Sequence, residues 1–305
     1  MNGLETFLAA AVRTATPLLL AATGELVAER AGIIFIGLEG AILAGALGAA
    51  VGAHAAGPAA GLALGVTAGA VVGALFALFV VRIRSEQIVT GTAITLLATG
   101  ATAALYHLAF GPEGAGLRIP TVGELAIPGL AAVPLVGPAL FSQSGFTYAA
   151  VVLAVAVWWW LARTHPGLAL RACGERLDAA RAAGIPTARY RFLAATWAGA
   201  LGGVAGTALV LAQAGTFAEG MSAGRGFIAI AVVALGRWSA PGILLAAAAF
   251  GATSALQFLF QARGWSLPYQ AFLAIPYLAT LIALAVSRSR GVAPAGLARV
   301  EEDVP

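Results

Sequence analysis

Glu39 lies between Gly37 and Gly40 in an otherwise apolar run. An intramembrane carboxylate costs on the order of a few kcal/mol unless paired or hydrated, so it marks either a polar path or a structural pairing, here with Arg30 or Arg225. Thr92, Thr95, Thr99 and Thr102, continued by Tyr106, recur at helical spacing. Such a hydroxyl stripe suits a neutral, hydroxyl-rich solute, although each hydroxyl can instead bond the carbonyl four residues back. Gly220-Met221-Ser222-Ala223-Gly224 has the G-x-S-x-G pattern of a nucleophile elbow. That chemistry needs a strand–turn–helix setting and an ordered histidine, which leaves only an intramembrane pairing of Ser222 with His107. His54, His107 and His165 are too dispersed in sequence to read as a metal site, and no metal or cofactor is expected.

Arg225-Gly226-Phe227-Ile228 and Gly236-Arg237-Trp238 bracket a short apolar stretch near 226–236. At about 1.5 Å per residue it covers only about half a membrane. A half-helix with its N-terminus toward a cavity would offer free N–H groups and a positive dipole to a polar solute. Trp197, Phe227, Tyr106 and Phe35 would supply faces for a base, or serve as packing and interfacial anchors. Upstream, Glu25, Glu29, Arg30 and Gly32 interrupt the apolar pattern, as a helix break near a translocation path or as an interfacial turn.

These residues sit in a chain that is 60% hydrophobic and 10% charged, against about 25% charged in soluble proteins. About 20 apolar residues cross a bilayer as a helix. Spans are predicted at 4–24, 32–53, 58–81, 88–110, 145–162, 192–213, 241–261 and 269–287, with Gly57-Pro58 dividing the second from the third. The fold class is an all-α polytopic membrane protein of about eight transmembrane helices plus the half-helix, a single membrane domain over residues 1–305. The strand-like alternation of a membrane barrel is absent. The N-terminal apolar stretch lacks a basic leader and reads as a retained span.

Arginine supplies every Lys/Arg-type charge, since the chain has no lysine. This excludes a phosphate-loop lysine and Schiff-base chemistry. Cys173 is the only cysteine, so no intrachain disulfide forms. Arg82 and Arg84, the loop 163–191 with six arginines, and the tail with Arg288, Arg290 and Arg299 are predicted to face the cytoplasm. The Pro/Gly-rich connection 111–144 then faces outward, parity puts the N-terminus outside, and the tail returns to the cytoplasm only if the short segment near 226–236 counts as a crossing. Gly61, Gly65, Gly69 and Gly73 form a stripe at four-residue spacing, repeated more weakly by Gly48/Gly52 and Gly199/Gly203. Stripes of this kind let helix backbones approach closely in lipid, within one chain or between subunits. Inside the basic loop, Ala179, Ala180 and Ala183, ending at Gly184-Ile185, describe a short helix with a bare face that a soluble partner can approach.

Four segments carry a family resemblance: Glu29-Arg30-Ala31-Gly32 through Gly37-Leu38-Glu39-Gly40; Gln87-Ile88-Val89-Thr90-Gly91; Arg171-Ala172-Cys173-Gly174-Glu175 through Ala183-Gly184-Ile185; and Ala223-Gly224-Arg225-Gly226-Phe227-Ile228 with Gly236-Arg237-Trp238. The chain resembles the permease subunits of bacterial ABC importers of the nucleoside and simple-sugar (ribose-type) branch, and is most similar to nucleoside permeases. Family members often have Asn-Pro after the Gly-Glu pair, where this chain has Arg176-Leu177. The resemblance implies a type II-like permease in the bacterial inner membrane that is not itself an enzyme, with ATP hydrolysis in a separate subunit. It implies as partners that ABC ATPase, a second permease subunit (as a heterodimer) and an extracytoplasmic substrate-binding lipoprotein. Gly174, Glu175, Asp178, Ala179, Ala180, Ala183, Gly184 and Ile185 then form the ATPase-coupling helix. Glu39, Gln87, Thr92, Thr95, Arg225 and Phe227 are the candidates for the substrate pathway. A simple-sugar permease and an ion-coupled secondary transporter with Glu39 as carrier are the alternatives.

Overall fold

The computed structural model describes residues 3–111, 119–134, 136–262, 278 and 293–298. With no water in the bilayer core, a spanning chain must satisfy its backbone internally, which apolar helices do. In chain order the helices are α1 (Gly3–Arg30), α2 (Leu38–Ala56), α3 (Pro58–Ala77), α4 (Gln87–Phe110), the short α5 (Val136–Leu140), α6 (Gly145–Arg163), α7 (His165–Glu175), α8 (Leu177–Ala182), α9 (Thr187–Ala208), α10 (Arg225–Leu235) and α11 (Ala240–Ala262). Helices α3 and α9 continue into widened π-type turns, Leu78–Arg82 and Leu209–Ala214. A two-stranded antiparallel sheet, β1 (Glu124–Ala126) with β2 (Ser142–Ser144), pairs Glu124 with Ser144.

Among the described residues six helices are long and apolar enough to cross a membrane: α1, α2, α3 with its π turn, α4, α6, and α9 with its π turn. The apolar α10 and α11 accompany them. The half-helix predicted near 226–236 is α10, and Gly57-Pro58 separates α2 from α3, with Gly57 at φ +85° and Pro58 in the first turn. The span expected at 269–287 lies outside the described residues, Leu278 apart.

Two boundaries differ from the sequence expectation by six residues. Helix α1 does not end near residue 24 but runs to Arg30, with Glu25 and Glu29 buried inside it. They do not break the helix because each carboxylate has a partner elsewhere in the bundle: the Phe35 N–H for Glu25 and the Trp238 indole N–H for Glu29. The chain leaves the helix only at Gly32, whose φ of +86° suits glycine. Residues 31–37 are therefore not the start of a span; they form a largely buried, non-helical passage, and helix resumes at Leu38.

Helix α3 packs along one face on both α2 and α9, which also touch each other. All four stripe glycines of α3 are buried. A Cβ on Gly61 would come within 2.8 Å of the Ala49 carbonyl oxygen of α2, and one on Gly73 within 2.5 Å of the Ala195 carbonyl oxygen of α9. Gly45, Gly199 and Gly203 complete the contact from the other side. The stripe thus packs helices within one chain, backbone against backbone.

The fold gathers charged residues at two opposite ends. One end holds Arg30 with its Nη1 4.0 Å from Glu175 Oε1, a groove containing Arg82, Arg84, Arg181 and Arg189, helices α7 and α8, and residues 293–298. The other holds Arg13 bonded to Glu124 at 2.7 Å, His107 2.7 Å from Glu219, and the β1–β2 hairpin.

Candidate functional site

The passage 31–37 is backbone without a helix in an apolar core, so its polar groups need partners from other segments. Gln87, at the first turn of α4, accepts the Ile34 N–H at 2.9 Å through Oε1. Glu25 of α1 accepts the Phe35 N–H at 2.9 Å through Oε1. Thr95, two turns along α4, donates to the Ile36 carbonyl at 3.2 Å. The Phe35 ring packs on Phe76 with centroids 4.8 Å apart. Gly91 lets α4 come this close: a Cβ there would lie 2.6 Å from Ile36 Cβ. One oxygen of Glu25 and the amide nitrogen of Gln87 are buried without a hydrogen-bond partner among the described residues.

Glu39 follows directly, in the first turn of α2. Its Oε1 accepts from Ser222 Oγ at 2.5 Å and from the Gly224 N–H at 2.8 Å, and its Oε2 accepts from the Gly226 N–H at 2.6 Å. These groups surround the N-terminus of α10, where N–H groups lack helical partners and the dipole favours negative charge. A Cβ on Gly226 would sit 2.5 Å from Glu39 Cα, so only glycine admits the carboxylate there. The start of the half-helix is accordingly not open to a cavity at Gly224 and Gly226; the protein's own Glu39 closes it. Arg225 donates to the Met221 and Ser222 carbonyls at 2.9 and 3.0 Å, and Arg30 to the Trp238 carbonyl at 2.9 Å.

Ser222 and His107 do not meet, since Ser222 donates to Glu39 and His107 is bonded to Glu219. This removes the pairing that hydrolytic chemistry would need. The threonine stripe also divides. Thr92 and Thr99 are exposed and donate to the Ile88 and Thr95 carbonyls of their own helix at 2.8 Å each. Thr102, buried, donates to the Thr99 carbonyl at 3.1 Å, leaving Thr95 as the member bonded across helices. Of the six predicted pathway residues, Gln87, Thr95, Glu39 and Arg225 are brought into one connected series running from α4 through 31–37 to α10. Thr92 and Phe227 stand apart from it, exposed. Glu25, Glu29 and Trp238 belong to the same series and were not among the candidates. Their signal was the i, i+4 spacing of two acids before Gly32, which puts both on one helix face.

The basic segment folds as two short helices rather than the single one expected over 174–185. Thr164 caps α7 by accepting the Gly167 N–H at 3.1 Å. Arg176 then takes an extended conformation (φ −144°, ψ 93°) that ends α7 and starts α8. Gly174 is buried against the end of α1, where a Cβ would come 3.0 Å from the Gly32 nitrogen, and its carbonyl accepts the Gly296 N–H at 2.8 Å. Burial pushes the neighbouring Cys173 thiol above its ordinary range, partly offset by the positive charge of Arg191. On α8, Asp178 and Ala179 face outward, and Ala183 and Gly184 follow them exposed. Gly184, at φ +76°, closes the helix, with the Ile185 N–H bonded to the Ala180 carbonyl at 3.0 Å. Ala180 does not belong to the bare outer face: it is 3% exposed and packs inward.

A bundle of apolar spans, with a half-helix pinned by a buried carboxylate and a small-residue helix standing at its arginine-bearing end, defines a multi-pass membrane permease. Residues 7–286 match the family described as "Branched-chain amino acid transport system / permease component", and the chain belongs to that family. It is similar to the Nucleoside ABC transporter permease protein NupC of Lactococcus lactis, 32% identical over 96% of both chains. It is also similar to the Guanosine ABC transporter permease protein NupQ of Bacillus subtilis, 32% identical over 92% of this chain and 91% of that one. The "Putative glucose ABC transporter permease protein TsgC13" of Haloferax volcanii is 34% identical over 87% of this chain and 80% of its own length. No solved structure matches.

Proposed function

We propose that this chain is the membrane subunit of an ATP-driven importer that carries nucleosides by alternating access. The observation that carries the substrate class is the similarity, over more than nine-tenths of both chains, to two permeases named for nucleoside and guanosine transport. A separate ATPase supplies the energy, with a second permease subunit and a substrate-binding lipoprotein as further partners. The arginine-bearing end faces the cytoplasm, and the 111–144 connection faces outward to receive the loaded binding protein.

In this reading the ATPase bears on the outer face of α8, around Asp178, Ala179, Ala183 and Gly184, with Glu175 and Ile185 at its edges. Gly174 passes the displacement to the end of α1, which it touches without an intervening side chain. From there it reaches the 31–37 passage and, through Glu39, the half-helix α10. Exposed Thr92 and Phe227 line the path, while Glu39, Gln87, Thr95 and Arg225 hold its walls in place. Three donors on Glu39 favour a fixed anchor over a proton carrier, which counts against ion-coupled transport.

The test is uptake of labelled guanosine by cells expressing the full importer. Uptake should persist with an uncoupler while ATP is maintained, and stop when ATP is depleted; collapse with the uncoupler alone would refute the reading. An excess of unlabelled glucose should leave guanosine uptake unchanged, whereas glucose uptake without guanosine uptake would give the sugar reading that TsgC13 suggests. Ala179→Arg should leave the permease folded, within about 0.5 kcal/mol as for surface changes, yet lose the ATPase on co-purification. An intact complex would remove α8 as the docking element.

A further inference from the structure

Two grooves flank the start of α9 and share Pro186, Arg189 and Leu193. One, of about 780 Å³, is lined by Arg82, Arg84, Arg181 and Arg189, with no acidic residue in its wall among the described residues. Its arginines come from the turn after α3, from α8 and from the first turn of α9, so three segments converge on it. The other, of about 830 Å³, is apolar along its length, with Leu153, Ala156, Trp160, Tyr190, Trp197 and Ala200 among its walls.

The dimensions of the apolar groove restrict what fits. From Arg189 to Ala200 it follows α9 for about 16 Å at about 1.5 Å per residue. That is roughly half of the ~30 Å hydrocarbon core, the depth of one leaflet. A membrane helix of a partner would need a groove twice as deep. An acidic protein surface would match the arginines but leave the apolar half uncovered. Only an amphiphile with an anionic head and a chain one leaflet long satisfies both halves across the shared ridge of Arg189 and Leu193.

We propose that an anionic phospholipid of the leaflet at the arginine-bearing end binds here. Its phosphate lies against Arg82 and Arg189, and an acyl chain runs down past Tyr190, Trp160 and Trp197. Arginine forks suit phosphate oxygens. Basic pockets between helix ends select anionic headgroups, and Trp and Tyr are the aromatic residues favoured at the interface. The bound lipid ties the end of α3 to the start of α9 beside α8. This site is separate from the substrate path and does not depend on the nature of the solute.

Native mass spectrometry of the full-length detergent-purified chain, equilibrated with equal phosphatidylglycerol and phosphatidylcholine, tests it. The wild type should retain phosphatidylglycerol about 25-fold in excess, and each arginine removed should lower that ratio about fivefold, so Arg82→Gln with Arg189→Gln brings it near parity. Ala156→Trp, at an exposed position in the apolar groove, should reduce retention of both lipids while keeping every charge. Both variants are checked for monodisperse elution, and the ATPase should co-purify with each as with wild type. Equal retention of the two lipids by wild type, or unchanged retention in both variants, would overturn the proposal. Loss of the ATPase from the arginine variant with its lipid ratio intact would overturn it too, by assigning the basic groove to the motor.

Discussion

The passage 31–37 and helix α4 both carry polar groups into apolar surroundings, and they handle them in opposite ways. In α4 the helix is continuous, so Thr92, Thr99 and Thr102 return their hydroxyl protons to carbonyls of their own helix. Over 31–37 the helix is interrupted, and its amides and carbonyls draw in Gln87, Glu25 and Thr95 from other elements, while the free start of α10 draws in Glu39 of α2. What decides whether a polar side chain links two helices is thus less its own chemistry than whether nearby backbone has lost its helical partner. Thr95 makes the point among the four threonines of the stripe: it lies opposite the non-helical Ile36 carbonyl and bonds it, while the other three bond their own helix.

The largest test of that contrast is Glu39→Ala, which strands two N–H groups and the Ser222 hydroxyl in the bundle. At about 1–3 kcal/mol per orphaned buried group, it should cost about 3 kcal/mol or more and visibly reduce the folded fraction in detergent. A variant as stable as wild type would mean that the half-helix does not need its carboxylate. Gln87→Leu removes the acceptor of one passage amide and should cost about 1–3 kcal/mol, read as a lowered melting midpoint. Next comes Thr95→Val, expected at about 1 kcal/mol, with the same measurement. Thr92→Val and Thr99→Val should change the midpoint least, by an amount equivalent to about 0.5 kcal/mol or less. If they matched Thr95→Val, the distinction between self-bonded and cross-bonded hydroxyls would fail.

Much of the bundle could be read from the chain because its signals are local. Apolar runs bounded by arginine located the spans, Gly57-Pro58 located a turn, and the glycines of α3 announced a close backbone contact. The half-helix was visible as a short apolar stretch between Arg225 and Gly236-Arg237. The links that position the site were not legible, because they join residues distant in sequence: Gln87 with Ile34, and Glu39 with Gly226. Periodicity could not show that Glu25 and Glu29 would remain helical, since their partners lie at Phe35 and Trp238. Nor could it show that Ala180 would turn inward, because the break at Arg176 resets the helical phase of α8.

Where Gly69 and Gly73 of α3 meet Gly199, Gly203 and Ala195 of α9, backbone is seated on backbone and no flexible side chain lies between the two helices to let them slip. Both α3 and α9 end in widened turns, Leu78–Arg82 at the arginine-bearing end and Leu209–Ala214 at the other. The departures from regular α-helix thus fall beyond the glycine contact at either end, so a bend at one of these turns would leave that contact undisturbed.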